Sequence, residues 1–366
     1  MNYLPNILVN IAKRKNMHLP DARLKKLFSL RNILLPVLLG IGAGLFVVLR
    51  NFDGEALSQL RWTPVSFFWV FVLIILVLLR QWAYMYRIRL LTDKSLTWKR
   101  SFYVISLWEF ASAVTPTVVG GSAVAVYIVN REHISAGRST AIVLITAFLD
   151  ELFFVVMVPL LIFIGNYSDV FRFASGAGQV QSGIFWTGYG VIVAITGLIG
   201  LGIFVKPQAV AALLKSVGKL RFLRKWEEPI AETARDIEIT ARELSGKKLL
   251  FWGKAMGATI ITWSARFLVV NVLVLLFIGF ADQLLVYSRH LMIWVLLLVT
   301  PTPGGSGVAE LIFGYYLSDI VPAGLVHPMA VVWRAVTYYP YILLGIVVLP
   351  IWLRSLLHPK AETAEV

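Results

Sequence analysis

The sequence predicts an all-α polytopic membrane protein, with about six full transmembrane helices and two re-entrant helical hairpins arranged as an inverted repeat. Three observations predict it. Of 366 residues, 58% are hydrophobic and only 15% are charged, against about a quarter charged in a soluble domain. Apolar runs near the ~20 residues that cross a ~30 Å hydrocarbon core recur along the chain. Two shorter apolar stretches each stop at Thr-Pro followed by paired glycines.

In chain order, residues 1–31 form a basic segment expected on the cytoplasmic side. There Arg23, Lys25 and Lys26 stand opposite Leu24, Leu27 and Phe28, the pattern of an interfacial helix on anionic lipid. The transmembrane region, 32–352, opens with the apolar run 32–49, which lies too far in and is too long for a cleaved signal peptide. Further spans are read at 62–79, 139–164, 183–205, about 250–280 and about 329–352, with a tail over 353–366. The loop 206–248 holds ten basic residues and a predicted helix from about 229 to 244, with Ile230, Ile237 and Leu244 at heptad spacing.

Residues 102–114 and 290–299 would reach only about 20 and 15 Å as helices. A residue before proline avoids the α region, so these helices should stop at Thr115 and Thr300. Apolar sequence resumes after the glycines, which predicts hairpins over about 102–129 and 290–317. Unwound backbone at that depth is tolerated where protein or a cavity surrounds it. With both hairpins returning to their side of entry and both termini cytoplasmic, the inside segments hold seven, six, two, ten and two basic residues, the six lying in 80–101. The outside loops hold four: Arg50, Arg61, Arg172 and Arg289. That is the asymmetry the positive-inside rule describes.

The same distribution accounts for the formal charge of +14. A basic protein can bind nucleic acid, but charge gathered along one membrane face indicates the anionic cytoplasmic leaflet instead, and no nucleic-acid partner is expected. The absence of cysteine excludes disulfides, thiolate nucleophiles and cysteine-ligated metal. The five histidines show no pair at helical ligand spacing, so neither a metal site nor a cofactor is implied.

The two interrupted segments resemble each other. Residues 114–125 read VTPTVVGGSAVA and residues 299–310 read VTPTPGGSGVAE. The first enters from the cytoplasm and the second from outside, so the units are inverted about the membrane plane. Inverted repeats with broken helices at matching positions characterise many secondary transporters, whose substrate sites lie near the midplane.

The stretches PTPGGSGVAE (301–310), EFASAVTPTVVGG (109–121) and WRAVTYYPYILLG (333–345) together resemble the flippase-like transmembrane domain of lysylphosphatidylglycerol synthases, over roughly residues 30–355. The resemblance implies a multi-pass protein of the bacterial inner membrane that moves lipid, such as aminoacylated phosphatidylglycerol, between leaflets. In those synthases a soluble acyltransferase-like domain follows the membrane part. This chain ends at Val366, so a stand-alone member without synthase activity is expected.

Seven ionisable residues fall inside the predicted membrane segments: Glu109, Asp150, Glu151, Lys254, Arg266, Glu310 and Arg334. Each costs roughly 2.5–3.5 kcal/mol near a span centre, so paired or cavity-facing roles are expected. Lys254 stands near a span's start and can snorkel. Glu310 lies one turn past the second break, where the helix dipole favours it or where Arg334 or Arg266 pairs with it. Asp150 and Glu151 are about 100° apart on a helix, so one should meet an arginine while the other lines a polar cavity or holds a proton. Gly120, Gly121, Gly304 and Gly305 permit either close helix packing or a phosphate cradle at half-helices starting from Ser122 and Ser306. The candidate substrate-binding set is therefore Glu109, Thr115, Gly120, Gly121, Ser122, Asp150, Glu151, Arg266, Thr300, Gly304, Gly305, Ser306, Glu310 and Arg334.

The implied partner is a membrane phospholipid, with anionic lipids at the cytoplasmic face, and self-association or a partner synthase left open. Two competing readings remain. One is a headgroup-modifying enzyme using Asp150, Glu151 or Glu310, against which stands the lack of a nucleophile motif. The other is a non-catalytic accessory subunit that recruits a lipid or glycan synthase through 206–248.

Overall fold

A computed structural model describes residues 63–115, 118–165, 170–171, 178–218, 227–298 and 308–357. The expected interfacial helix and first span, and Thr300, Gly304, Gly305 and Ser306 of the second break, lie outside the described residues.

Within the described residues the chain is helical and has no strand. Helix α1 (Pro64–Leu91) starts at a capping box between Thr63 and Ser66, with proline in its first turn. It runs on through what hydropathy alone marked as the start of a loop. Its exposed face carries Phe67, Phe68, Phe71, Ile74, Ile75 and Leu78, while its buried face carries Arg80, Tyr84 and Arg87 beside Leu73, Leu76 and Ala83. Apolar outside and polar inside is the pattern of a helix solvated by lipid.

The first hairpin is α2 (Trp98–Val114) packed against α3 (Val118–Arg131), followed by α4 (Ala136–Ile164) and α5 (Gly178–Gly200), which continues to Val205 in a π-helical turn. Two helices, α6 (Pro207–Gly218) and α7 (Glu227–Ser245), precede α8 (Leu249–Phe277). The second hairpin is α9 (Gln283–Leu298) against α10 (Val308–Leu317), followed by α11 (Ala323–Thr337) and α12 (Tyr339–Leu357). Among the described residues, four single helices or helix extensions, and α11 with α12 together, are long and apolar enough to cross a membrane.

Three expectations need correction. Both hairpins are longer than expected, because polar first turns escaped the hydropathy reading. Thr97 Oγ1 caps α2 by accepting from the Arg100 N–H at 3.2 Å, and Asp282 Oδ1 accepts from the Leu284 and Leu285 N–H groups at 3.0 and 3.1 Å ahead of α9. Arg289 is therefore inside α9 and 1% exposed, where an outside loop was expected. The last span is two helices that meet at Tyr338, because Pro340 has no N–H for the carbonyl of Val336 and its ring crowds that turn.

The helices reproduce the repeat far beyond its motif. Helices α1 and α8 begin at 64 and 249, α2 and α9 at 98 and 283, and the VTPT motifs at 114 and 299, a common displacement of 185 residues. The equivalent helices α1 and α8 lie along one another. Arg87 bonds Thr259 while Arg80 and Arg266 meet the same carboxylate, so numbers rise on one helix as they fall on the other. Antiparallel pairing of equivalent helices is what a two-fold axis in the membrane plane requires. The halves also interlock through α2 and α12, where Gly345 leaves room for the Phe110 ring.

Helix α7 lies across the start of α4. A Cβ at Gly137 would run into the Asp236 side chain and the Thr233 carbonyl. This close approach buries Ala234, Ile237, Ala241 and Leu244, so the apolar face of the loop helix is occupied within the chain.

Candidate functional site

Helix spacing places Arg80, Tyr84 and Arg87 on one face of α1, turned into the bundle. Arg80 is 3% and Arg87 1% exposed. Sequence reasoning missed both, because the six basic residues of 80–101 were assigned to a loop. Burying a guanidinium is costly unless it is paired and hydrogen-bonded, and each finds such partners on other helices.

Glu109 on α2 accepts through Oε2 from Arg80 Nη2 at 2.6 Å and from Arg266 Nη2, on α8, at 3.2 Å. One carboxylate oxygen thus joins the two halves of the repeat. Aromatic faces cover the cations: Arg80 lies 4.4 Å from the Tyr341 ring centroid and 5.2 Å from that of Tyr84, and Arg266 lies 4.3 Å from Trp294 and 5.2 Å from Trp263. Arg80 is 16 residues into α1 and Arg266 17 residues into α8, each just past its helix centre.

A second pair adjoins the first. Asp150 on α4 accepts from Arg87 Nη1 at 2.5 Å and Nη2 at 3.1 Å, and from the Trp263 indole N–H at 2.8 Å. Arg87 also donates to Thr259 Oγ1 at 2.8 Å. Trp263 therefore connects the two ion pairs, bonding Asp150 with its N–H while its ring faces Arg266. Three arginines here face two carboxylates. Glu151 is a quarter-turn away, and its Oε2 is buried with no hydrogen-bond partner among the described residues.

In the second half, Glu310 Oε1 meets Arg334 Nε at 3.1 Å, both residues being at most 4% exposed. Glu310 is the third residue of α10, where the positive end of the helix also favours a carboxylate. Arg334 stacks 3.7 Å above the Tyr338 ring. Arg289 pairs with Asp319 and donates to the Tyr316 carbonyl at 3.0 Å. His290 Nδ1 lies 3.0 Å from the Phe267 carbonyl, with the Phe267 and Trp333 rings edge-on to it.

The structure therefore brings Glu109, Arg266 and Asp150 into one connected network and sets Glu310 with Arg334 in a separate pair. Arg266 does not serve Glu310. Thr115 ends α2 in extended geometry, its hydroxyl donating back to the Ala111 carbonyl at 2.8 Å. The expected half-helix start at Ser122 is corrected: α3 begins at Val118, so Gly120, Gly121 and Ser122 lie in its first turns, and Ser122 comes after the four N–H groups that such a terminus leaves free. Gly121 instead serves the crossing of α2 and α3, where a Cβ would come within 2.5 Å of Ser112 Oγ. Lys254 is exposed. Among the described residues no group of three or more His, Asp or Glu side chains is placed to hold a metal ion.

Comparisons with known proteins agree with this architecture. Residues 33–345 match the family model described as the lysylphosphatidylglycerol synthase TM region. A protein of Archaeoglobus fulgidus named "UPF0104 membrane protein" is 27% identical over 304 residues, covering 79% of this chain and 88% of that one. No solved structure matches. A match across nearly the whole helical region, with both interrupted segments inside it, places this multi-pass membrane protein in the family of the lysylphosphatidylglycerol synthase transmembrane region.

Proposed function

We propose that the protein is a lipid translocator, moving a phosphate-bearing lipid, with aminoacylated lipids in its scope, between the leaflets of a cytoplasmic membrane. The observation that carries this is the network of Arg80, Glu109 and Arg266, in which charges from both repeat halves meet near the centres of antiparallel helices α1 and α8. Buried charge shared between inverted repeats suits a site that opens to each side in turn. Placement in a bacterial inner membrane with both termini cytoplasmic is part of the proposal, supported by the excess of basic residues in the segments assigned to one side. Its partners on this reading are the lipid it carries and the anionic lipids of the cytoplasmic face, and it performs no covalent chemistry.

The test is reconstitution into vesicles containing fluorescently labelled phosphatidylglycerol in both leaflets, with a membrane-impermeant quencher added outside. Wild-type protein should expose inner-leaflet label that protein-free vesicles keep hidden. Equal protection in both overturns the translocator reading. Chemical change in the headgroup would support a membrane enzyme instead.

A further inference from the structure

We propose that Arg80 and Arg266 form a binding site for a phosphate ester, and that Glu109 occupies this site as a built-in competitor which the phosphate displaces. The argument starts from unused donors. Each arginine gives Glu109 a bond from Nη2 alone, and both bonds end on the same carboxylate oxygen. Nε of Arg80 and Nε of Arg266 are buried and have no hydrogen-bond partner among the described residues. The residues carrying them are 3% and 8% exposed, so bulk water does not satisfy these donors.

In a guanidinium, Nε–H and one N–H of Nη2 point along the same edge and form a fork suited to two acceptor atoms or to one tetrahedral oxyanion. Glu109 engages one prong of each fork. A phosphodiester has two non-bridging oxygens sharing one negative charge, so it can give each arginine an oxygen and engage all four donors. Charge favours the exchange. The two arginines carry two positive charges against one carboxylate here, and the adjoining Arg87–Asp150 pair is balanced. Access favours it as well, since the Glu109 side chain is 18% exposed while those of Arg80 and Arg266 are 4% and 9% exposed. The carboxylate is thus the most accessible of the three groups, so a ligand arriving at the exposed surface of the network meets it first. Tyr341 and Trp294 cover the two guanidinium groups at 4.4 and 4.3 Å, contacts that do not depend on Glu109 and keep both arginines in place when it leaves.

The inference rests on the translocator reading only for the source of the phosphate, and binding can be measured without transport. Detergent-solubilised protein would be titrated with dihexanoyl phosphatidylglycerol and, separately, with inorganic phosphate, following tryptophan fluorescence with Trp294→Phe as the control for the local reporter. Glu109→Gln should bind the short-chain lipid about tenfold more tightly than wild type, and adding Arg80→Gln should abolish that gain. If Glu109→Gln fails to elute as a single species, Glu109→Asp replaces it; this shorter carboxylate reaches less far between the arginines and should also raise affinity. A gain for the lipid, with or without inorganic phosphate, supports the proposal. A gain for inorganic phosphate alone keeps the site and overturns the lipid reading. No gain in a folded variant overturns the site.

Discussion

Arg87 and Asp150 close a two-pronged ion pair, Nη1 to Oδ1 at 2.5 Å and Nη2 to Oδ2 at 3.1 Å, that fastens α1 to α4. Asp150→Ala leaves Arg87, 1% exposed, with the Thr259 hydroxyl as its remaining hydrogen-bond acceptor among the described residues. An uncompensated buried charge costs about 3–5 kcal/mol, so the thermal midpoint in detergent should fall steeply. Replacing both partners with apolar side chains, Arg87→Met with Asp150→Leu, should restore most of the loss. An Asp150→Ala protein as stable as wild type contradicts the assignment.

Gly345→Ala should destabilise the contact between α2 and α12. The added methyl meets the Phe110 ring, which is 2% exposed and walled in on other sides. Overpacking of this kind costs about 1–3 kcal/mol. Adding Phe110→Leu should recover part of it, and a double-mutant cycle on unfolding midpoints measures the coupling.

Gly137→Ala should loosen α7 without unfolding the bundle. The new Cβ collides with the Asp236 side chain and with the α7 backbone at Thr233 and Ile237, which cannot give way as a side-chain tip can. Hydrogen exchange over Glu227–Ser245 should accelerate while α8 keeps its protection. Unchanged exchange in α7 would mean that the helix rests on other contacts.

Glu132 sits at the end of the first hairpin, beyond α3. Its Oε1 accepts from the Trp352 indole at 2.7 Å, and Arg100 Nε lies 3.7 Å from Oε2. Burial raises its pKa above the ordinary carboxylate value, with the Trp352 and Arg100 interactions opposing. A carboxyl that holds its proton more tightly when folded contributes stability below about pH 4.5, and that contribution is lost as pH climbs through the folded value. The thermal midpoint of wild type should therefore drop more between pH 4.5 and 7 than that of Glu132→Gln, which keeps an acceptor for Trp352. Identical pH slopes would remove Glu132 from the account.

Among the described residues, the long apolar helices and the break at Thr115 were legible because hydropathy and Thr-Pro-glycine punctuation are local signals. So was the pairing of one of the two adjacent acids with an arginine, since a quarter-turn separates Asp150 from Glu151 and it is Asp150 that meets Arg87. Arg80 and Arg87 were not legible by charge counting, which treats an arginine at the end of an apolar run as a loop residue. Their spacing with Tyr84 held the missing information: positions i, i+4 and i+7 share a face, and that face continues the buried stripe of Leu73 and Leu76. Arg289 escaped for the same reason. The site also depends on α1 meeting α8, a contact between residues nearly two hundred positions apart for which the repeat was the sole sequence signal.

The 185-residue displacement has a consequence for ancestry. Antiparallel packing of α1 on α8 is the interface that two copies of one half-length chain would make after inserting in opposite orientations. In such a dimer Arg80 and Arg266, one position out of strict register, would descend from the same stretch of helix. The position matching Glu109 is occupied by Trp294, whose ring covers Arg266 at 4.3 Å. Joining two such halves in one chain would let them differ at this position, as the acid at 109 and the indole at 294 do.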